Sequence, residues 1–321
     1  MAKVIYRILH FLDENSRTTL SKIAKRLKTS EQRVSYTLKS MNKKRQVKGY
    51  STVFDYAKFD FNGYLVLFRT SHKKNSSLEL LKDLKELPDV VWIETLQGKF
   101  DISAMFLSPN PSNFNKTLKK FISKHKGDII DNNICTVIVI RKFGRQYLNP
   151  WAREGEDKVI GGDRAPINFS ASEKMVCMAL LEKPNAKLKE LSKISGISFK
   201  TFSSKLKLLK KRAVIRKFEP ILDCAKLGII NKKILLKYSA YDVKIEEELT
   251  NFCKENPSVV SVVKTFGSWD IVINFESLKK GSFGDFMYEL RERFEELITD
   301  FEVVDVKNKE KFNYLPSNYF S

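Results

Sequence analysis

Apolar residues recur along the chain in two rhythms. Ile5, Ile8, Leu9 and Leu12 follow the i, i+3, i+4, i+7 spacing of a helix with one buried stripe. Thr19 is placed to cap a second helix that turns Leu20, Ile23, Ala24 and Leu27 inward. After a turn at Lys28 and Thr29, Ser30 caps a third helix with Val34, Leu38 and Met41 inward. Three short helices so joined predict a helix-turn-helix, and the β-prone segment 46–54 behind it predicts a wing. The rhythm then changes: strand 64–70, helix 77–87, strands 90–96 and 100–107, helix 112–124, strand 129–141. A βαββαβ order predicts an antiparallel sheet with both helices on one face, a ferredoxin-like unit. We assign Val66, Phe68, Ile93, Ile138, Leu235, Val262 and Ile273 to the opposite face; it is too apolar for water, which predicts a second sheet packed on it.

The whole arrangement is written twice. At an offset of 168, Leu20-Ser21-Lys22-Ile23 aligns with Leu188-Lys189-Glu190-Leu191, Ser30 with Ser198, and Asp55-Tyr56-Ala57-Lys58 with Asp223-Cys224-Ala225-Lys226. At an offset of 169, Gly98-Lys99-Phe100-Asp101 aligns with Gly267-Ser268-Trp269-Asp270. The second copy has helices at 173–182 and 188–194, a third capped by Ser198, a wing at 214–222, and then 233–238, 243–255, 259–266, 269–275, 283–297 and 301–306 in the βαββαβ order. The predicted class is α+β, with two winged helix-turn-helix domains (1–55 and 168–222), two ferredoxin-like domains (56–145 and 223–312) and a linker at 146–167. The linker has no sustained periodicity, and its 22 residues reach about 70 Å when extended, so sequence leaves the placement of the copies open.

Charge narrows the function. The chain carries 58 Lys and Arg against 38 Asp and Glu, a net +20. Residues 1–50 hold +10 and residues 168–219 hold +9, so nearly all the excess lies in the two helix-turn-helix segments. A basic stretch is ordinarily a solvated face; here both stretches coincide with the motif, which points to double-stranded DNA. The N-terminal end of each third helix, at Ser30 and Ser198, is expected in the major groove. Base reading falls to Gln32, Arg33 and Tyr36, with Lys39 on the same face, and to Lys200, Thr201 and Ser204, with Lys207. Lys43, Lys44, Arg45, Lys210 and Lys211 are expected on phosphates. Four scattered cysteines read as reduced thiols, and His10, His72 and His125 have no metal-ligand spacing. No cofactor, metal or catalytic motif is expected. No apolar run reaches the length of a membrane span.

With Arg17, Leu20, Ile23-Ala24 and Ser30, the wing Val47-Lys48-Gly49-Tyr50 and the turn Gly98-x-x-Asp101, the chain resembles two fused members of the Lrp/AsnC (feast/famine) family, in its archaeal form. The resemblance implies a cytoplasmic, nucleoid-associated regulator. It implies C-terminal RAM domains that self-associate, within one chain or between chains, and a small effector, commonly an amino acid, beside Gly98 and Asp101 or Gly267 and Asp270. Either Asp suits an α-ammonium group, and equally suits a hairpin turn in which it bonds the backbone. Where the family has a wing glycine this chain has Arg45 and Ala213, so the two readers differ. Two other readings remain: an architectural chromatin protein without effector, and an enzyme like siroheme decarboxylase, which shares the two-part architecture and requires positioned histidines.

Overall fold

The computed structural model describes residues 2–71, 76–149, 157–238 and 242–320. His72 and linker residues 150–156 lie outside these. The first helix-turn-helix comprises α1 (Ala2–Glu14), α2 (Leu20–Leu27) and α3 (Glu31–Lys43), followed by strand β1 (Val47–Phe54). The first ferredoxin-like unit runs β2 (Asn62–Thr70), α4 (Ser76–Glu86), β3 (Val90–Gln97), β4 (Ile102–Ser108), α5 (Pro111–Lys124) and β5 (Ile129–Lys142). A short strand β6 (Lys158–Gly161) precedes the second helix-turn-helix: α6 (Ala171–Glu182), α7 (Leu188–Ile194), α8 (Phe199–Lys211) and β7 (Ile215–Leu222). The second unit runs β8 (Ile230–Tyr238), α9 (Val243–Glu255), β9 (Val259–Gly267), β10 (Ile271–Ser277), α10 (Ser282–Arg293) and β11 (Ile298–Phe312).

Two pairings fix how the copies meet. The wings do not close on their own domains; β1 pairs antiparallel with β7, from Val47 opposite Leu222 to Phe54 opposite Ile215. The two four-stranded sheets join at both edges, β5 to β9 and β11 to β3, so eight strands close on themselves in the order β2-β4-β3-β11-β8-β10-β9-β5 and back to β2. Closure leaves no open edge within the ring. The two ferredoxin-like units are therefore paired with each other within the chain.

Leu65, Leu67, Met105, Leu107, Cys135, Val137, Leu235, Val263 and Val272 share one core inside the ring. Val66, Phe68 and Ile93, expected there, instead pack with Leu80, Leu84 and Phe114 under α4 and α5. Val262 and Ile273 lie with Leu249 and Phe286 under α9 and α10, and Ile138 is exposed. Only Leu235 faces inward as expected. In a strand a one-residue error of parity moves the whole set to the other face, and these strands are apolar on both.

The 146–167 segment is partly built into the sheet. β6 adds to β5 alongside β2, Ile160 is buried, and Asp55 at the end of β1 accepts from Gly161 N at 2.9 Å and pairs with Arg164. Among the described residues, no helix is long and apolar enough to cross a membrane. The four cysteines are buried and unpaired.

Candidate nucleic-acid interface

Each third helix, α3 and α8, begins with its own cap. Ser30 Oγ accepts from Arg33 N at 3.2 Å and Ser198 Oγ from Thr201 N at 3.1 Å, which satisfies donors that a helix start leaves open. Both serines therefore act first on their own helices. Val34 and Met41 anchor α3 beneath, and Phe202, Leu206 and Leu209 anchor α8. That packing turns Gln32, Arg33, Tyr36 and Lys39 outward on one helix and Lys200, Thr201, Ser204 and Lys207 outward on the other. Tyr36 is the most exposed large side chain of the set, at 77%. Lys43, Lys44, Arg45, Lys210 and Lys211 are all exposed at the ends of the helices; Lys210 also lies 5.0 Å from the Phe218 ring centroid, and partial desolvation followed by the nearby Arg17 lowers its pKa.

The two helix-turn-helix units are tied together by residues of both copies. Arg17 donates to Pro184 O at 2.6 Å and Ala186 O at 2.7 Å, and lies over the Phe218 ring. Ser16 N donates to Phe218 O, and Thr52 Oγ1 to Leu180 O. With the β1–β7 ladder, these bonds hold α3 and α8 in one fixed relation.

The glycine turns sit on the seams between the sheets. Gly98 has φ +141°, and a Cβ there would lie 3.1 Å from Val304 Cγ1; Gly267 has φ +131°, and a Cβ would lie 2.5 Å from Ile134 O. Glycine is thus needed for close approach of the other copy's last strand. Asp101 Oδ2 accepts from Thr70 N at 2.7 Å and Thr70 Oγ1 at 3.0 Å. Asp270, only 3% exposed, accepts from Tyr238 N at 2.9 Å and pairs with Lys237. Both carboxylates bond the end of a strand beside the hairpin, β2 for Asp101 and β8 for Asp270. The first turn also borders an open cavity of about 280 Å³ lined by Arg69, Thr70, Gly98, Lys99 and Asp101.

Sequence reasoning missed a buried charge cluster between the sheets. Arg145 contacts Asp13 and Glu276, each at 2.6 Å; Lys217 lies 2.9 Å from Asp13, Lys142 2.7 Å from Glu219, Lys233 2.9 Å from Glu94 and Lys309 3.5 Å from Glu276. Burial works against ionisation of Glu276, but Arg145 and Lys309 outweigh it and hold its pKa at about 2. The signal in sequence was charge inside otherwise apolar strands, as at Glu94, Lys233 and Glu276.

Residues 1–48 match the family model described as winged helix-turn-helix DNA-binding. The HTH-type transcriptional regulator FL11 of Pyrococcus horikoshii is 30% identical over 116 residues, covering 36% of this chain and 75% of FL11; that of Pyrococcus furiosus is 28% identical over the same length. The crystal structure of the siroheme decarboxylase NirDL aligns with 99% of this chain and 96% of its own, at a TM-score of 0.59 and 14% identity, a likeness of fold.

Proposed function

We propose, for a chain that belongs to the Lrp/AsnC-like family of winged helix-turn-helix regulators to which FL11 belongs, the function of a sequence-specific DNA-binding transcription regulator that presents two unlike readers from one molecule. The observation that carries the proposal is the pair of capped, basic helices α3 and α8, outward-facing and locked in one relation by the wing ladder. Such a molecule would do alone what a two-fold dimer of single-copy regulators does, with an asymmetric site in place of a palindrome.

Under this reading Gln32, Arg33 and Tyr36 read one half-site and Lys200, Thr201 and Ser204 the other, with Lys43, Lys44, Arg45 and Lys211 on phosphates. A small effector such as an amino acid fits the first turn best: its carboxylate would meet Arg69 or Lys99, and its ammonium Asp101. The second turn offers less, because Asp270 is buried and paired with Lys237.

The whole-chain likeness to NirDL favours keeping the enzyme reading as the alternative. Two features weigh against it. The chamber between the sheets measures about 60 Å³ and the cavity beside it, which His10 borders, about 220 Å³, against roughly 300 Å³ or more for a site holding an organic ligand of ordinary size. A roomier groove of about 920 Å³ beside β1 is lined by Arg45, Lys48, Lys226 and Lys307 and no histidine. Selection of bound duplexes from a random pool, followed by footprinting with and without amino acids, tests the proposal. A selected asymmetric motif supports it, whereas uniform, sequence-blind coverage would favour an architectural protein.

A further inference from the structure

We propose that the chamber enclosed between the two sheets is a binding site for a small monocarboxylate with a short apolar tail. Neither DNA recognition nor the turn at Gly98 enters the argument.

The charges within the chamber do not balance. Lys142, Arg145, Lys217, Lys233 and Lys309 meet Asp13, Glu94, Glu219 and Glu276, five cations against four carboxylates, and all nine side chains are largely withdrawn from water. An unmatched charge in such a place costs several kcal/mol unless a counter-charge joins it. Arg145 is bidentate between Asp13 and Glu276, while Lys217 makes one hydrogen bond, to Asp13, and Lys142 makes two, to Glu219 and the Tyr314 hydroxyl. An ammonium carries three N–H donors, so these two lysines retain three for a further acceptor.

Size and lining select the tail. By the measure in which about 10–15 Å³ admits one water, the chamber's roughly 60 Å³ takes four to six non-hydrogen atoms, the span from acetate to butyrate. The wall beside the charges is Leu65, Met105, Val137, Ile140, Val263 and Val272. A cavity of about 220 Å³ adjoins the chamber, sharing Asp13, Lys142, Gly144, Arg145 and Lys217 and bordered further by His10, Gln146, Lys158 and the exposed Glu14, and is the side from which a ligand would enter.

A proton signature accompanies binding. Burial first, seconded by Lys217 and Arg145 and opposed by Glu219, brings the Lys142 ammonium down to about 8. Its other neighbours are the Tyr314 hydroxyl and the Phe312 ring, with Asp13, Glu276 and Lys309 of α1, β10 and β11 across the chamber. Near pH 8 the surplus is thus partly shed as a proton, and an arriving carboxylate draws it back.

Titration calorimetry of the full chain with sodium propionate at pH 8, in two buffers of different ionisation heat, tests this. Saturable one-to-one binding with uptake of about half a proton is expected, falling toward none at pH 6.5. Lys142→Gln should weaken propionate about tenfold or more and abolish the uptake. Glu94→Gln, which enlarges the surplus, should tighten propionate; it keeps the proposal testable where Lys142→Gln does not fold. Asp101→Ala should leave propionate binding unchanged. No saturable heat, chloride binding as tightly as propionate, or undiminished proton uptake in Lys142→Gln would each overturn the assignment.

Discussion

Arg45 and Ala213 occupy equivalent positions after the recognition helices, and each takes a left-handed backbone, φ +53° and φ +56°. Each closes its helix, Arg45 N donating to Asn42 O and Ala213 N to Lys210 O at 3.0 Å. A side chain in this region costs roughly 1 kcal/mol relative to glycine. Ala213→Gly should therefore raise thermal stability by up to about 1 kcal/mol, a shift of roughly 1–3 °C in a scanning melt. Gly267→Ala should do the reverse by more, because its Cβ meets the Ile134 carbonyl and no flexible side chain is there to yield. An unchanged melting temperature in both variants would contradict these backbone assignments. Sequence marked Gly98 and Gly267 as special but not why: the atoms that exclude a side chain belong to the other copy, more than 130 residues away for Gly267.

At the scale of elements, α3 and α8 were readable because each buries a single stripe, so 3.6-residue spacing and the capping Ser30 and Ser198 locate them. Strand existence was readable and strand facing was not. Val66 and Leu67 are adjacent, equally apolar and equally buried, yet one lies under α4 and α5 and the other inside the ring. β6 escaped because four residues of strand inside an irregular segment leave no period to detect. The recognition helices yield two predictions. Arg33→Ala should relax sequence preference while leaving random duplex binding largely intact; Lys44→Ala should weaken all duplexes alike and reduce the salt slope by about one. Equal losses for Arg33→Ala on selected and random DNA would remove Arg33 from base reading. Ser30→Ala should cost about 1 kcal/mol of stability through the lost cap. Its effect on DNA should then track fraying of α3, seen as faster amide exchange at Arg33.

For the molecule as a whole, the chamber joins parts that sequence could not connect. Asp13 comes from α1, Lys217 and Glu219 from β7, Lys142 and Arg145 from the end of β5 and the residues just after it, and Glu94, Lys233, Glu276 and Lys309 from strands of both units. A 22-residue connection permits many placements; the ion pairs and the closed ring select one, which is why pairing within the chain was open in sequence and is definite in structure. Acid should test this junction. Burial opposes ionisation of Asp13, Glu94, Glu219 and Glu276, but their cationic partners outweigh it, and all four carboxyls are held below their ordinary range, Glu276 at about 2. A carboxylate with a depressed folded pKa contributes stability that is present above its unfolded value near 4.5 and lost as pH falls through the folded value. For Glu276 alone the 2.5-unit depression is worth on the order of 3 kcal/mol. Stability should thus fall steeply between pH 4.5 and pH 2. The seams should open before α4, α5, α9 and α10 melt, because these four helices draw their stability from cores separate from the ring interior. Trp92 stacks on Phe312 across the β3–β11 seam and Trp269 bonds Asn133 across the β5–β9 seam, so tryptophan emission should redden at a higher pH than the loss of helical circular dichroism. Glu276→Gln should be less stable at neutral pH and lose stability less steeply over this window. Coincident transitions, with the same slope in Glu276→Gln, would show that the buried charges do not hold the two copies together.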